Sequence, residues 1–489
     1  MVLTATVGVL LAAVTTWTAM RPRRDLAHAG ASAPGIVLLV VDTLRADALE
    51  PDATSDGLAR LRAWARDATT FDDAIATSSW TAPSVASILT GRLPTGHGVV
   101  EVRPHTRLAG SVRTLASLLH DAGYTTAAST GGGWVSPGTG LASGFQRFET
   151  DFDRRRPAEV VDGLRATIEP GRPFFFFLHT YAAHDPYGDH YAASQRRCDP
   201  ATASDVRTLA ATLRTDPPSP ALRHAFLRAM LTSPCGRLAM VQEVGVAKAT
   251  HYWLTECRPF LDGGWRDEPG GPEAVAGLRD AYRAALDHVD DRLAETLEAV
   301  DRLPAGTVVV VVGDHGEAFG EHGPVHHGRF VHPEMVRVPL LVRADGLPRG
   351  AVVTAPCSVA DVTPTLLDLA GVPAPSGLDG VSLRRVAAGD APRRAMVSVV
   401  APGETPEDTL DAHLRRVAVR DAAWTWTGVL DTRTATWSED RWYDRVADPD
   451  EHRPLATPPD PVAAAVVHAT RDEVRRVLES RARRGVSGS

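Results

Sequence analysis

The sequence is nearly devoid of lysine: Lys248 is the only one in 489 residues, and arginine carries almost all of the positive charge. An anion-binding site in this chain must therefore be built from arginine, histidine or backbone amides. A basic excess is lacking as well. The net charge of −8 and a pI near 6.1 exclude the basic footprint of a nucleic-acid-binding protein. Cysteine is scarce, with Cys198, Cys235 and Cys257 in one irregular region and Cys357 far along the chain. Their spacing matches no zinc site. A disulfide within the cluster, suited to an oxidising compartment, and buried free thiols both fit it. No internal repeat is present.

What is there is a globular composition, 44% hydrophobic and 23% charged, on a chain long enough for roughly two to four domains. Residues 2–20 form an uncharged, largely apolar stretch of about the length that spans a bilayer. Cleavage after Ala29 would suit an export signal. No basic residue precedes the run, however, and Arg21, Arg23 and Arg24 follow it, a pattern that by the positive-inside rule holds the next domain in the cytoplasm. A start codon placed elsewhere or additional upstream spans reconcile the two, and the expectation is an extracytoplasmic domain, membrane-associated through 2–20 or exported.

From residue 35 to about 385 the pattern alternates between short apolar runs and amphipathic stretches, the rhythm of an α/β domain. Residues 55–68 read as a helix capped by Ser55, 111–124 as a helix stopped by Gly123, and 272–300 as a long helix leading into a strand of valines. Residues 188–270 lack the rhythm and are rich in Pro, Arg and Cys; they read as an insertion over the site. Past Asp390 the rhythm breaks, and 424–445 reads as hairpins of a smaller sheet closed by a helix at 459–484. The expected division is an N-terminal segment and linker (1–34), a catalytic domain (35–385) and a C-terminal subdomain (386–489).

Four segments carry the chemistry: GIVLLVVDTLRAD at 35–47, SSWTAPSVASILTG at 78–91, FFFFLHTYAAHDPY at 174–187 and TVVVVVGDHGEAFGEHG at 307–323. Three begin as strands apolar enough to be buried on both faces. Asp42, His179 with His184, and Asp314 with His315 follow those runs, at the carboxyl ends of strands, where open α/β sheets bind ligands. In the fourth, Pro83 suits the first turn of a helix and puts Thr81 at its cap, beside amides and a dipole that favour an anion. A threonine hydroxyl is a poor nucleophile unless a cation holds it deprotonated, and Asp42, Asp314 and His315 can supply that cation's other ligands. An ordinary cap is the bland reading of Thr81; the other three segments weigh against it. His322, His326, His327 and His332 cannot all serve one site, and some of them should lie at the surface.

These segments, in this order and with VRVPLLVR at 336–343, DVTPTLLDLAGVP at 361–373 and YDRVADPDEHRPLA at 443–456, resemble the sulfatase branch of the alkaline phosphatase superfamily. The resemblance implies a mixed, mostly parallel sheet sandwiched by helices, with a small C-terminal antiparallel sheet. It also implies one divalent metal ion and a substrate-contacting histidine at His184. His327 falls where many sulfatases carry an active-site lysine.

The departures from the family pattern matter. Family sulfatases carry Cys or Ser, followed by x-Pro-Ser/Ala-Arg, at a nucleophile position that is oxidised to formylglycine; here Thr81 and Val85 stand at those places. The usual Asp-Asp and Asp-Asn pairs are Asp42-Thr43 and Asp314-His315, a set that favours zinc or manganese over calcium. Threonine with Asp, Asp and His resembles instead the phosphoethanolamine and phosphoglycerol transferases of the superfamily. The expectation is a metal-dependent hydrolase of phosphate or sulfate esters, small-molecule, lipid or glycan, with phosphoesters favoured. Its metal ligands would be Asp42, Thr81, Asp314 and His315, and its catalytic side chains Thr81, His184 and His327. The alternatives are a membrane-linked phosphoryl-group transferase and a non-catalytic ligand-binding relative.

Overall fold

The computed structural model describes residues 33–50, 57–100, 107–185, 187, 262–267, 270–401 and 413–486. The apolar stretch 2–20, Ala29, Ser55, nearly all of the 188–270 insertion, and Cys198, Cys235 and Cys257 lie outside the described residues. No helix among the described residues is long and apolar enough to cross a membrane.

The main sheet is built, in chain order, from Ile36–Val41 (β1), Thr69–Phe71 (β2), Thr125–Ser129 (β3), Arg147–Glu149 (β4), Phe174–Thr180 (β5), Val308–Gly313 (β6), Leu340–Arg343 (β7) and Val352–Val353 (β8). Their spatial order is β8-β2-β7-β6-β1-β5-β3-β4. The three runs that read as doubly buried strands are its centre. β1 pairs in parallel with β5 on one side and β6 on the other, and every residue of the three strands is buried. Strands covered on both faces need no polar alternation, which is why their sequences are continuous Val, Leu and Phe. β7 runs antiparallel to both β2 and β6, so the sheet is mixed.

Successive side chains of β1 go to opposite faces. Ile36, Leu38 and Val40 join one core with the helices Thr81–Thr90, Leu115–Asp121 and Val362–Leu369; Val37, Leu39 and Val41 join the other with Ala59–Ala65, Pro157–Arg165 and Gly271–Val300. In chain order these six helices are α1 (59–65), α2 (81–90), α3 (115–121), α4 (157–165), α5 (271–300) and α6 (362–369). Two are shorter than the sequence suggests. α1 begins after Leu58, which makes no side-chain cap bond. α3 begins at Leu115 because the Thr114 side chain accepts from the Ser117 amide and sets its first turn there; Gly123, at φ +97°, follows its end.

Met396–Val400 (β9), Leu414–Arg420 (β10), Trp424–Asp431 (β11) and Thr436–Asp444 (β12) form a four-stranded antiparallel sheet. Trp424, Trp426 and Trp442 pack with Ala463 and Val467 of the helix Pro461–Val486 (α7). This sheet reaches the main site through β10. Arg420, fully buried, pairs with Glu451 (2.9 Å) and donates to the Val331 carbonyl (2.7 Å), while Arg416 donates to the Arg329 carbonyl (3.2 Å). Both bonds hold the backbone just after His327.

Candidate metal centre and active site

β1 and β6 end side by side, and each hands its chain to an acidic residue. The Asp42 amide still donates to the Thr180 carbonyl at 3.0 Å, extending the ladder by one residue. Thr43 then turns the chain at φ +53°, a left-handed conformation that is strained for a β-branched residue and costs about 1–3 kcal/mol. The turn is held from three sides. The Thr43 hydroxyl donates to the Asp42 carbonyl (2.8 Å), its amide donates to Asp314 Oδ1 (3.2 Å), and Tyr282 donates to its carbonyl (3.1 Å). Asp314 Oδ1 also accepts from the His315 amide (2.8 Å).

One half of the Asp314 carboxylate is thus committed to the backbone. Its other oxygen, Oδ2, and both oxygens of Asp42 are buried with no hydrogen-bond partner among the described residues. Asp42, Asp314 and His315 are fully buried, and one donor atom from each lies within 4.8 Å of the others. His315 Nε2 stands 3.7 Å from Asp42 Oδ1 and 3.7 Å from Asp314 Oδ2. Its Nδ1 donates to the Gly316 carbonyl at 2.9 Å, which leaves Nε2 as the nitrogen that carries a lone pair.

Orphaned buried carboxylate oxygens are costly unless something compensates them, and a cation does so. Two ligands about 2.1 Å from a tetrahedral ion are roughly 3.4 Å apart, close to the spacings found here. The residues present therefore fit a divalent metal.

Thr81 comes to the same point from α2. The expected cap is one residue off: Trp80, in extended conformation, is the N-cap, and Thr81 opens the helix. Its Oγ1 lies 3.3 Å from His315 Nε2, and with Trp80 as the N-cap the hydroxyl faces His315 rather than serving the helix amides. The Ser84 hydroxyl ties the first turn of α2 to the Asp314 carbonyl at 2.5 Å. Val85, where the resemblance expects arginine, is fully buried in the apolar core.

A second group of side chains closes the site. The His327 ring is 4.6 Å from that of His315, 5.0 Å from that of His184 and 5.5 Å from that of Trp80. All seven assignments made from the sequence, covering Asp42, Thr81, His184, Asp314, His315 and His327, fall into one connected cluster. The four later histidines, all partly buried, fall into two groups. His326 and His327 stand over Glu317, 3.9 and 3.0 Å from its Oε1. His322 stacks between His332 and His452 (4.5 and 4.6 Å) and pairs with Glu334 at 3.0 Å.

Burial alone would raise both site carboxylates. The imidazoles of His179, His184 and His315 instead hold Asp42 below the usual carboxylate range, whereas burial and the neighbouring Asp42 charge push Asp314 well above it. Burial, with His327 close by, lowers His315 to about 4, and burial lowers His184. Both imidazoles are therefore neutral near pH 7, the form in which histidine binds a metal.

His179, which the sequence placed with His184 at a strand's carboxyl end but gave no role, is inside β5, buried, with neither ring nitrogen hydrogen-bonded among the described residues and Nε2 3.6 Å from Asp42 Oδ2. One further neighbour escaped the sequence reading. Glu317 is buried, bonded to His327, and follows the Asp314-His315 pair by two residues; only its place within GDHGE marked it.

A family model described as Sulfatase matches residues 34–372. A choline-sulfatase of Rhizobium meliloti is 28% identical over 466 residues, covering 90% of this chain and 86% of its own. Among solved structures, a proposed sulfatase from Bacteroides thetaiotaomicron superposes with a TM-score of 0.63 at 20% identity, over 92% of this chain and 93% of that one. A phosphonate monoester hydrolase from Silicibacter pomeroyi gives 0.60 at 22% identity, over 91% and 95%. At these identities the two structures speak for the fold alone. With the family match spanning the whole of that sheet and every segment that builds the site, the chain belongs to the sulfatase family of ester hydrolases.

Proposed function

We propose that this hydrolase cleaves phosphate or sulfate esters through a covalent intermediate on Thr81, with phosphoesters the better substrates. The observation that carries the reading is the Thr81 hydroxyl at the start of α2, 3.3 Å from a histidine whose neighbours Asp42 and Asp314 hold three buried carboxylate oxygens with no hydrogen-bond partner among the described residues. A divalent ion held by Asp42, Asp314 and His315 would supply the Lewis acidity that makes a threonine hydroxyl nucleophilic at neutral pH.

The protein's own groups do the rest. Thr81 Oγ1, its proton already lost to solvent, attacks phosphorus or sulfur in line as the alkoxide, the bond to the leaving alcohol breaks, and the alcohol oxygen takes a proton from the imidazolium form of His327. His184, within ring contact of His327, orients the ester, and the first-turn amides of α2 face its negative charge. Water then attacks the threonyl ester and Thr81 leaves. Release of inorganic phosphate or sulfate distinguishes this from transfer to an alcohol acceptor.

The choline-sulfatase relative favours sulfate, and small-molecule or glycan sulfate esters belong in any substrate panel. Thr81 argues the other way, because threonine cannot become the formylglycine aldehyde, whose hydrate has the second hydroxyl that releases sulfate. A phosphothreonine can be resolved by water alone. Steady-state rates on a phosphomonoester, a phosphodiester and a sulfate ester of one common alcohol decide between them. Higher kcat/KM on a phosphoester is expected, and a clear preference for sulfate overturns this part of the reading.

A further inference from the structure

Glu317 is a fully buried carboxylate that ligates nothing in the metal cluster. Its backbone is pinned: the amide donates to the Glu334 carbonyl (3.1 Å) and the carbonyl accepts from Arg45 (2.7 Å). Its side chain is equally committed. Oε1 accepts from His327 Nδ1 at 3.0 Å, and Oε2 accepts from the Tyr187 hydroxyl at 3.3 Å. Among the described residues its ion-pair partners are His326 and His327 rather than any arginine. The segment they sit on is itself clamped. Arg329 makes a bidentate pair with Asp262 (2.7 and 2.8 Å), Ser79 donates to the Phe330 carbonyl, and Trp80 lies against Gly328 so closely that no Cβ fits there.

We propose that Glu317 is the positioning residue for proton transfer at this site, fixing the His327 ring and its Nδ1–H so that the leaving-group oxygen is served through Nε2. The proposal deepens the reaction above and rests on it. With Nδ1 engaged by a carboxylate, any hydrogen bond from His327 to a substrate runs through Nε2, and the ring cannot flip without breaking a charge-assisted bond in a dry pocket. His327 enters the step as the imidazolium, with Nδ1–H on Glu317; when the ester bond breaks, its electron pair stays on the alcohol oxygen, the Nε2 proton moves to that oxygen, and His327 is left neutral with its Nδ1–H in place. In the second half-reaction neutral His327 takes a proton from the attacking water. Glu317 keeps its bond to Nδ1–H throughout and exchanges no proton, as the carboxylate of a Ser-His-Asp triad does.

A purely structural Glu317 and a positioning Glu317 differ in how they treat leaving groups. An alkoxide needs its proton; a 4-nitrophenolate hardly does. The test uses the full-length, metal-loaded protein with Glu317→Gln, Glu317→Ala and His327→Ala, on an alkyl and a 4-nitrophenyl ester of the same acid. Glu317→Ala should lower kcat on the alkyl ester on the order of 100-fold, with a much smaller loss on the 4-nitrophenyl ester. KM should change little, and Glu317→Gln, which still accepts from Nδ1–H, should recover part of the loss. His327→Ala should show the same selectivity, and Glu317→Ala on top of it should add nothing.

Equal losses on both esters, or no loss, overturn the proposal. Wild-type protein inactive on every ester, or a fully active Thr81→Ala, would overturn the reaction instead. In that event nitrogen-15 NMR of labelled histidine still decides: His327 should hold a hydrogen-bonded Nδ1–H in wild type and lose that tautomer in Glu317→Ala. An unchanged tautomer sinks the positioning role. Should Glu317→Ala fail to fold, Glu317→Gln carries both measurements.

Discussion

Replacing Asp42 by asparagine separates two effects that one buried carboxylate combines. Asp42 is fully buried, neither oxygen has a hydrogen-bond partner among the described residues, and the nearest imidazoles stand 3.6 and 3.7 Å away. Without a cation its charge is offset, among the described residues, only by the imidazoles of His179, His184 and His315, of which His184 and His315 lose their own charge near pH 7, and the effective penalty for a buried ion so weakly compensated is several kcal/mol. With one it becomes a ligand, and an ion at about 1,000 times its Kd adds roughly 4 kcal/mol to the native state. At about 2.1 cal/mol/K per residue, unfolding 489 residues carries an entropy on the order of 1 kcal/mol/K, so metal should raise the wild-type Tm by about 4 °C. Asparagine keeps the shape and loses the charge. In thermal denaturation with chelator, Asp42→Asn should match or exceed wild type; with zinc or manganese added, wild type should gain that increment and the variant little. A variant less stable than wild type by the same margin in both conditions would refute the reasoning and make Asp42 an ordinary structural carboxylate.

Elemental analysis of protein never exposed to chelator should find about one zinc or manganese per chain, and calcium alone would contradict the ligand argument. Thr81→Ala should abolish turnover while costing no more than about 1 kcal/mol of stability, because the hydroxyl is not used as a helix cap; chemical denaturation alongside rates checks both. The pH response follows from His315, lowered to about 4 from an ordinary 6.5. As pH falls through that window the unfolded chain binds a proton that native His315 refuses, so stability falls by up to about 1.4 kcal/mol per pH unit. Urea midpoints of metal-free protein should show this slope, and His315→Gln should flatten it; an unchanged slope in the variant excludes His315 as its source.

The centre of the fold was legible because burial on both faces leaves a plain signature. The valines of 308–312, the phenylalanines of 174–177 and the run at 36–41 have no polar alternation, and only strands covered on two sides tolerate that. Being central, they also brought Asp42 and the Asp314-His315 pair together at adjacent strand ends. Helix starts were less legible, since a cap depends on local geometry that residue type only biases. Thr81 is one residue inside its helix, and Thr114 rather than the preceding serine sets the start of α3. Pairings between distant side chains were hidden altogether. Nothing in the sequence says that Glu317 faces His327 ten residues on, or that Arg420 of the small sheet holds the Val331 carbonyl; both depend on how loops cross in space. That His322 stacks between His332 and His452, 120 residues beyond His332, was equally hidden.

The central claim is that Thr81 carries the transferred group. Rapid acid quench of metal-loaded wild-type protein during turnover of a phosphoester, followed by digestion and mass spectrometry of the peptide containing Thr81, tests it directly. The account predicts phosphothreonine at position 81 that forms and decays with turnover and is missing in Asp314→Ala. Steady turnover with an unmodified Thr81 peptide at every quench time, and a Thr81→Ala variant at the wild-type rate, would contradict it.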